Sequence, residues 1–235
     1  MHAMNIKSER FVLAGQLLSV NSALSLNSLS DVGDALLFCQ LYSDLKTRKF
    51  DAPFTWYSLH EKAMQELKWA SSYYKRRAFE PADDAAISFE WLIKQGTSSH
   101  PEKQGHFEGL LRCIAILAPT DHRSTLFQRF TVKVRVEKPG HLTFTLQLGA
   151  LDGAATLTSL FMTFTTTAEA EPDVYRQVFS PDKIVGEIDL RFSTHNWDVS
   201  GYQSVRKKVQ SFLVGKKDGL ILPLPCTLGL DEGDE

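Results

Sequence analysis

The chain has 235 residues, a formal net charge of −2, 43% hydrophobic and 23% charged residues. That balance suits a globular protein long enough to bury a substantial core. Its apolar runs are too short for a membrane helix, the opening "MHAMNIKSER" has no apolar leader segment, and the charge argues against bulk attraction to nucleic acid.

Taken in order, residues 1–10 read as a frayed start. "QLLSVNSALSLN" then places Leu18, Val20, Leu24 and Leu26 on one side, as a strand or bent pair of strands does. "SDVGDALLFCQLYSDLKTRK" predicts a helix, with Ser30 or Asp31 as its cap and Lys46, Arg48 and Lys49 suiting its C-terminal dipole. Residues 51–79 predict one long helix, with Asp51 as N-cap and Pro53 in its first turn. Tyr57, Ala63 or Met64, Leu67, Ala70 and Tyr74 recur along it at helical spacing, and its other aromatics (Phe54, Trp56, Trp69, Tyr73) suit core or dimer packing. "AISFEWLIK" fits a strand and a helix about equally. "SSHPEKQGH" is a polar loop, and "FEGLLRCIAILAP" a short apolar element ending at Pro119.

Residues 130–149, "FTVKVRVEKPGHLTFTLQLG", alternate on both sides of one Pro-Gly and predict a β-hairpin. A loop of Lys138, Pro139 and Gly140 pairs Val136 with Leu142, Val134 with Phe144 and Val132 with Leu146, all on an apolar face. Arg135 and Lys133 then lie opposite Thr143 and Thr145 on a polar face that continues to Gln147.

Beyond the hairpin, "ALDGAATLTSLFMTFTTTAEAE" carries a helical stripe of Leu151, Ala154, Leu157 or Thr158, Phe161 and Phe164, although its Thr-rich end is β-prone. "DKIVGEIDLRFS" reads as a strand. "DVSGYQSVRKKVQSFLVG" reads as a helix capped by Asp198, with Tyr202, Val205, Val209 and Phe212 inward. Pro223 and Pro225 keep the tail extended, and 227–235 reads as an acidic disordered tail. The whole of 1–235 is expected to be a single α+β domain, an antiparallel hairpin or ribbon packed with several helices.

The chemistry-bearing motifs are absent: there is no GxSxG, HExxH, Walker A or GxGxxG. His100, His106, Cys113 and His122 match no compact zinc spacing. Cys39, Cys113 and Cys226 are expected to be buried free thiols in a reducing, cytoplasmic compartment. No cofactor, metal, membrane or small-molecule substrate is inferred, and no catalytic role is expected.

One account of the hairpin's polar face is a solvated sheet surface. The functional account is a ribbon laid in the major groove of double-stranded DNA. Lys133 and Arg135 would then meet guanine, Gln147 adenine, and Thr143 and Thr145 phosphates or a thymine methyl, while Arg206, Lys207 and Lys208 clamp the backbone.

Three stretches, "LLSVNSALSLNS", "DAPFTWYSLHEKA" and "LTFTLQLGALDGAATLTSLF", follow one another in an order that resembles the AcaB-like transcriptional regulators of integrative conjugative elements and conjugative plasmids. The resemblance implies a homodimeric regulator of transfer genes with a ribbon-helix-helix-like DNA-binding element, Thr143, Thr145 and Gln147 holding the ribbon positions. The alternative from the residues alone is a non-enzymatic protein–protein interaction or assembly protein of a mobile element or phage.

Overall fold

The computed structural model describes residues 8–21, 26–135, 138–171 and 173–225. It is an α+β molecule built on one mixed eight-stranded sheet. The strands are β1 (Ser8–Leu13), β2 (Gln16–Asn21), β3 (Trp69–Phe79), β4 (Val132–Val134), β5 (Leu142–Leu151), β6 (Thr156–Thr166), β7 (Ile188–Trp197) and β8 (Ile221–Pro223). The helices are α1 (Leu26–Lys46), α2 (Pro53–Glu66), α3 (Phe89–Gly96), α4 (Gln104–Ala115), α5 (His122–Thr131), α6 (Val199–Tyr202) and α7 (Arg206–Leu213). Strand order is β3-β7-β6-β5-β2-β1-β8, with β4 added beside the start of β5. Only the β2–β5 pair is parallel among these; the others run antiparallel.

Both faces of the sheet are covered. Alternation sends Leu142, Phe144, Leu146 and Leu148 of β5 with Leu160, Met162 and Phe164 of β6 toward α3, α4 and α5. The opposite face packs Leu18, Val20, Leu151, Leu157 and Trp197 against α1, α2 and α7. Strands buried on both sides lose the apolar-polar alternation that marks a half-wet sheet. This is why β6, "TLTSLFMTFTT", imitates a helical stripe and is a strand instead. No helix among the described residues is long and apolar enough to cross a membrane.

Several expectations shift at element ends. Of the start expected to fray, Ser8, Glu9 and Arg10 belong to β1, which pairs with β2 and β8, and residues 1–7 lie outside the described residues. Helix α1 begins at Leu26, so Ser30 and Asp31 lie inside it rather than at its cap. The long helix expected over 51–79 stops at Glu66. Lys68 takes φ of 71°, the left-handed conformation, and the chain continues as β3. Asp51 is not the cap there: Ala52 is, and Asp51 pairs with Lys133 at 3.4 Å. The ambiguous "AISFEWLIK" becomes α3, whose Ser88 side chain caps Trp91 N at 3.1 Å. A helix not anticipated, α5, follows the cap Asp121 and takes up Phe130 and Thr131, leaving β4 only three residues. Asp198 caps its helix as expected, accepting from Gly201 N at 2.8 Å, but residues 203–205 divide that helix into α6 and α7. Cys39 is a buried free thiol, whereas Cys113 is disulfide-bonded and so corrects the expectation of free cysteines. Cys226 and the acidic tail lie outside the described residues.

Candidate functional site

The hairpin keeps its predicted faces but not its register. Val132 opposes Phe144, Lys133 opposes Thr143 and Val134 opposes Leu142, a slide of two residues from the expected pairing. A slide of two preserves which side chains share a face. The physical cause is competition for the same edge of β5. Strand β2 pairs there from Gln147 onward, α5 consumes the residues before Val132, and the loop closes with Arg135 N donating to His141 O at 2.8 Å.

That edge pairing makes β5 an interior strand. Thr143, Thr145 and Gln147 are 3%, 0% and 2% exposed, so the wet or DNA-facing ribbon surface expected of them is an internal layer under α2. Thr143 Oγ1 lies 3.0 Å from Thr165 Oγ1, and Thr145 Oγ1 lies 3.0 Å from Thr163 Oγ1. Thr163 donates its one proton to Phe144 O at 2.9 Å, so Thr145 donates to Thr163. The other named cations are dispersed. Lys133 pairs with Asp51, and Arg206 of α7 forms a two-pronged ion pair with Asp31 of α1. Arg135 is half-buried, and Lys207 and Lys208 are exposed. The structure does not gather these eight residues into one surface.

It gathers a different set. Strand β7 presents Asp189, Arg191, Ser193 and His195 in one row, every second residue, toward α2. Asp189, 1% exposed, receives Arg76 Nε from β3 at 2.5 Å and Arg191 Nε at 2.6 Å. One carboxylate thus holds two guanidiniums, each through its Nε, and among the described residues the trio carries one more positive charge than negative. The Arg191 guanidinium also stands 5.0 Å from the Phe54 ring centre and 4.8 Å from that of Tyr57. Arg76 lies 5.3 Å from Phe54. Cation–π contact fixes both planes. Bonding and charge from Asp189 raise the Arg76 pKa further, so its charge is constant at all ordinary pH values.

Next along the row, His195 Nε2 lies 2.8 Å from Glu61 Oε2, and Tyr57 Oη lies 3.4 Å from Ser193 Oγ. Burial pushes the Glu61 carboxyl up, but the bonds and charges from His195, His60 and Tyr57 outweigh it and hold its pKa below the usual range. Burial, and then Glu61, raise the Tyr57 phenol. His60, stacked 5.2 Å from Trp56, is wholly enclosed, and burial lowers its pKa to about 4. Neither His60 nitrogen nor His195 Nδ1 has a hydrogen-bond partner among the described residues.

Over this row opens a groove of about 550 Å³ between α2 and β3, lined by Tyr57, Glu61, Lys62, Gln65, Tyr74 and Arg191 with two serines. Its lining exposes Tyr74 (47%), and Phe54 (46% exposed) stacks on the Arg191 guanidinium. Strand β3 is the end of the sheet and pairs only with β7 among the described residues. The groove therefore combines the aromatic faces of Tyr57 and Tyr74, the oriented guanidinium of Arg191 and the β3 edge. Sequence reasoning missed all of it except the aromatics, although "IDLRFSTHNW" carries the signal: Ile188, Leu190 and Phe192 alternate with Asp189, Arg191 and Ser193. Among the described residues no group of three or more His, Cys, Asp or Glu is placed to hold a metal.

No protein-family model and no curated protein matches the chain. Among solved structures, one titled delta-endotoxin is similar at a TM-score of 0.40 and 8% identity, over 79% of this chain and 81% of its own. The structure of the Evf virulence factor is similar at a TM-score of 0.36 and 8% identity, over 88% and 84%.

Proposed function

We propose that the protein is a non-enzymatic binding protein that engages an acidic segment of a partner protein through the groove between α2 and β3. The observation that carries this reading is the sharing of Asp189 by Arg76 and Arg191, which holds the Arg191 guanidinium in the wall of the groove, beside the exposed Tyr74, with the half-exposed Arg76 on the same carboxylate. Planar, pre-oriented guanidiniums are suited to bidentate recognition of carboxylates, and Tyr74 and Phe54 provide rigid apolar area beside them. An acidic protein segment fits better than a nucleic acid strand. Glu61 lines the same groove and Glu187 stands within electrostatic range of Arg76, so the occupant must space its negative charges, as acidic side chains set among neutral residues do and a phosphate backbone, charged at every unit, does not.

A second reading keeps the DNA-binding regulator, as a homodimer with a ribbon-helix-helix-like element. Its support is narrower: Arg135 at the hairpin end and the exposed Lys207 and Lys208 of α7. One titration series separates the two, with purified protein against a twelve-residue Glu-rich peptide, its Lys-rich counterpart and a random duplex DNA pool at two salt concentrations. The proposal expects the Glu-rich peptide alone to bind, and Arg76→Gln to weaken it about tenfold, the scale of one charge-assisted hydrogen bond. Retention of duplex DNA without peptide binding would replace the proposal with the second reading.

A further inference from the structure

On the face of the sheet covered by α4, across β6, β5, β2 and β1, lies a separate cavity of about 570 Å³. Six elements converge on it, β5 through Ala150 and Leu151. Arg10 comes from β1, Ser19 and Asn21 from β2, and Thr156 and Thr158 from β6. Lys103 belongs to the short turn before α4, and His106 to the first turn of α4 itself. Ser19 and Thr158 are 2% and 5% exposed, so the floor is a pair of enclosed hydroxyl-bearing side chains beneath a basic rim. Asp152 also lines the cavity, but its Oδ1 is engaged by Ala154 N and Thr156 N, each at 2.9 Å, where it closes the β5–β6 turn.

The glycines of α4 are the second observation. Gly105 and Gly109 are four residues apart and so share one face of the helix, and both line this cavity. A Cβ added to either would meet nothing within 4 Å. Glycine inside a helix is less favourable than alanine by roughly 0.5–1 kcal/mol, and no packing neighbour here requires it. The pair leaves the α4 face of the cavity bare of side chains at these two positions. His106, on the rim, has its pKa held below the ordinary imidazole range by partial desolvation and then by the charges of Lys103 and Arg10. The three basic groups are therefore within electrostatic reach of one another across the mouth.

We propose that this cavity is a binding site for a phosphate-bearing small molecule. Its volume falls within the range of about 300–1,000 Å³ of small-molecule sites, enough for a nucleotide. The phosphate would sit between Lys103 and His106, within the field of Arg10, with the hydroxyls of Ser19 and Thr158 as neutral partners deeper in, while Thr156 donates its own proton to Asn196 Oδ1 at 3.1 Å. An anion placed there offsets the repulsion that now disfavours imidazolium, so binding must raise the His106 pKa and strengthen as pH falls through its titration.

The test is an NMR titration of the His106 ring resonances against pH, with ATP, adenosine, citrate or no addition. ATP is expected to shift His106 and raise its pKa; adenosine and citrate are expected to do neither at the same concentration. Lys103→Gln should weaken ATP binding about tenfold, as loss of one charge-assisted contact does. Gly109→Phe, which fills the cavity without altering any charge, should abolish it. Both variants should retain the wild-type circular dichroism spectrum. An ATP response that is absent, that persists in Gly109→Phe, or that citrate reproduces would overturn the assignment to a phosphate site.

Discussion

The two faces of β5 are one strand's odd and even residues, and they meet different interiors. Toward α3, α4 and α5 the even row enters a dry aromatic cluster, in which Phe144 lies 4.9 Å from Phe164, 5.4 Å from Phe179 and 5.6 Å from Phe89. Toward α2 the odd row enters a layer of threonines, glutamines, histidines and ion pairs, equally enclosed. Hydrocarbon needs only volume and shape, so the first face tolerates any apolar partner of the right size. Buried polar groups need particular partners at particular distances, so the second face fixes the register and is destabilised wherever a partner is missing. The candidate groove grows out of that second face, at its β3 end.

The contrast is sharpest for substitutions that delete one group from each layer. Phe144→Ala should lower stability by about 3–5 kcal/mol, read by denaturant unfolding, because three rings lose their common neighbour. Asp189→Asn should cost about 3 kcal/mol, since it leaves Arg191 enclosed without a counter-charge. Arg76→Gln, at the exposed end of the same cluster, should cost about 1 kcal/mol or less. If Asp189→Asn proved as mild as Arg76→Gln, the two arginines would not depend on that carboxylate.

Acid should attack the polar face first. His60 is enclosed and its folded-state pKa is about 4, below the 6.5 of an ordinary histidine. The folded state therefore resists protonation that the unfolded state accepts. The contribution is complete above pH 6.5 and is lost as pH falls toward 4, amounting to roughly 3 kcal/mol at the low end. His60→Phe should flatten the stability profile between pH 6.5 and 4 by that amount. An unchanged acid limb would place the sensitivity elsewhere. On the smallest scale, Thr145→Val should cost about 1 kcal/mol by removing its bond to Thr163. The Thr145→Val, Thr163→Val double variant should show non-additive loss, as contacting residues do. Strict additivity would argue against the hydroxyl ladder.

These two interiors also explain what could be read from the sequence. The alternation of 142–148 identified the faces of β5 correctly, because period-2 patterning is a local property of the strand. Whether the Thr143–Thr145–Gln147 face is wet is not local: it depends on α2, far earlier in the chain, and on β2 docking in parallel at Gln147. The long helix expected over 51–79 failed at Lys68 for a similar reason. The aromatic spacing continues through "WASSYYKRRAF", but the pairing of that segment with β7 outweighs intrinsic preference. Arg206 looked available because its partner, Asp31, is 175 residues away. The row Asp189, Arg191, Ser193 and His195 was legible as alternation, but its convergence with Arg76 and Glu61 required the fold.

The most direct test of the account is amide hydrogen exchange across the whole sheet, with and without the Glu-rich peptide. The account predicts slow exchange in β5 (142–151) in both samples, and added protection on peptide binding confined to β3 (69–79) and α2 (53–66). Rapid exchange of β5 in the free protein, or peptide protection centred on residues 132–148 instead, would contradict it.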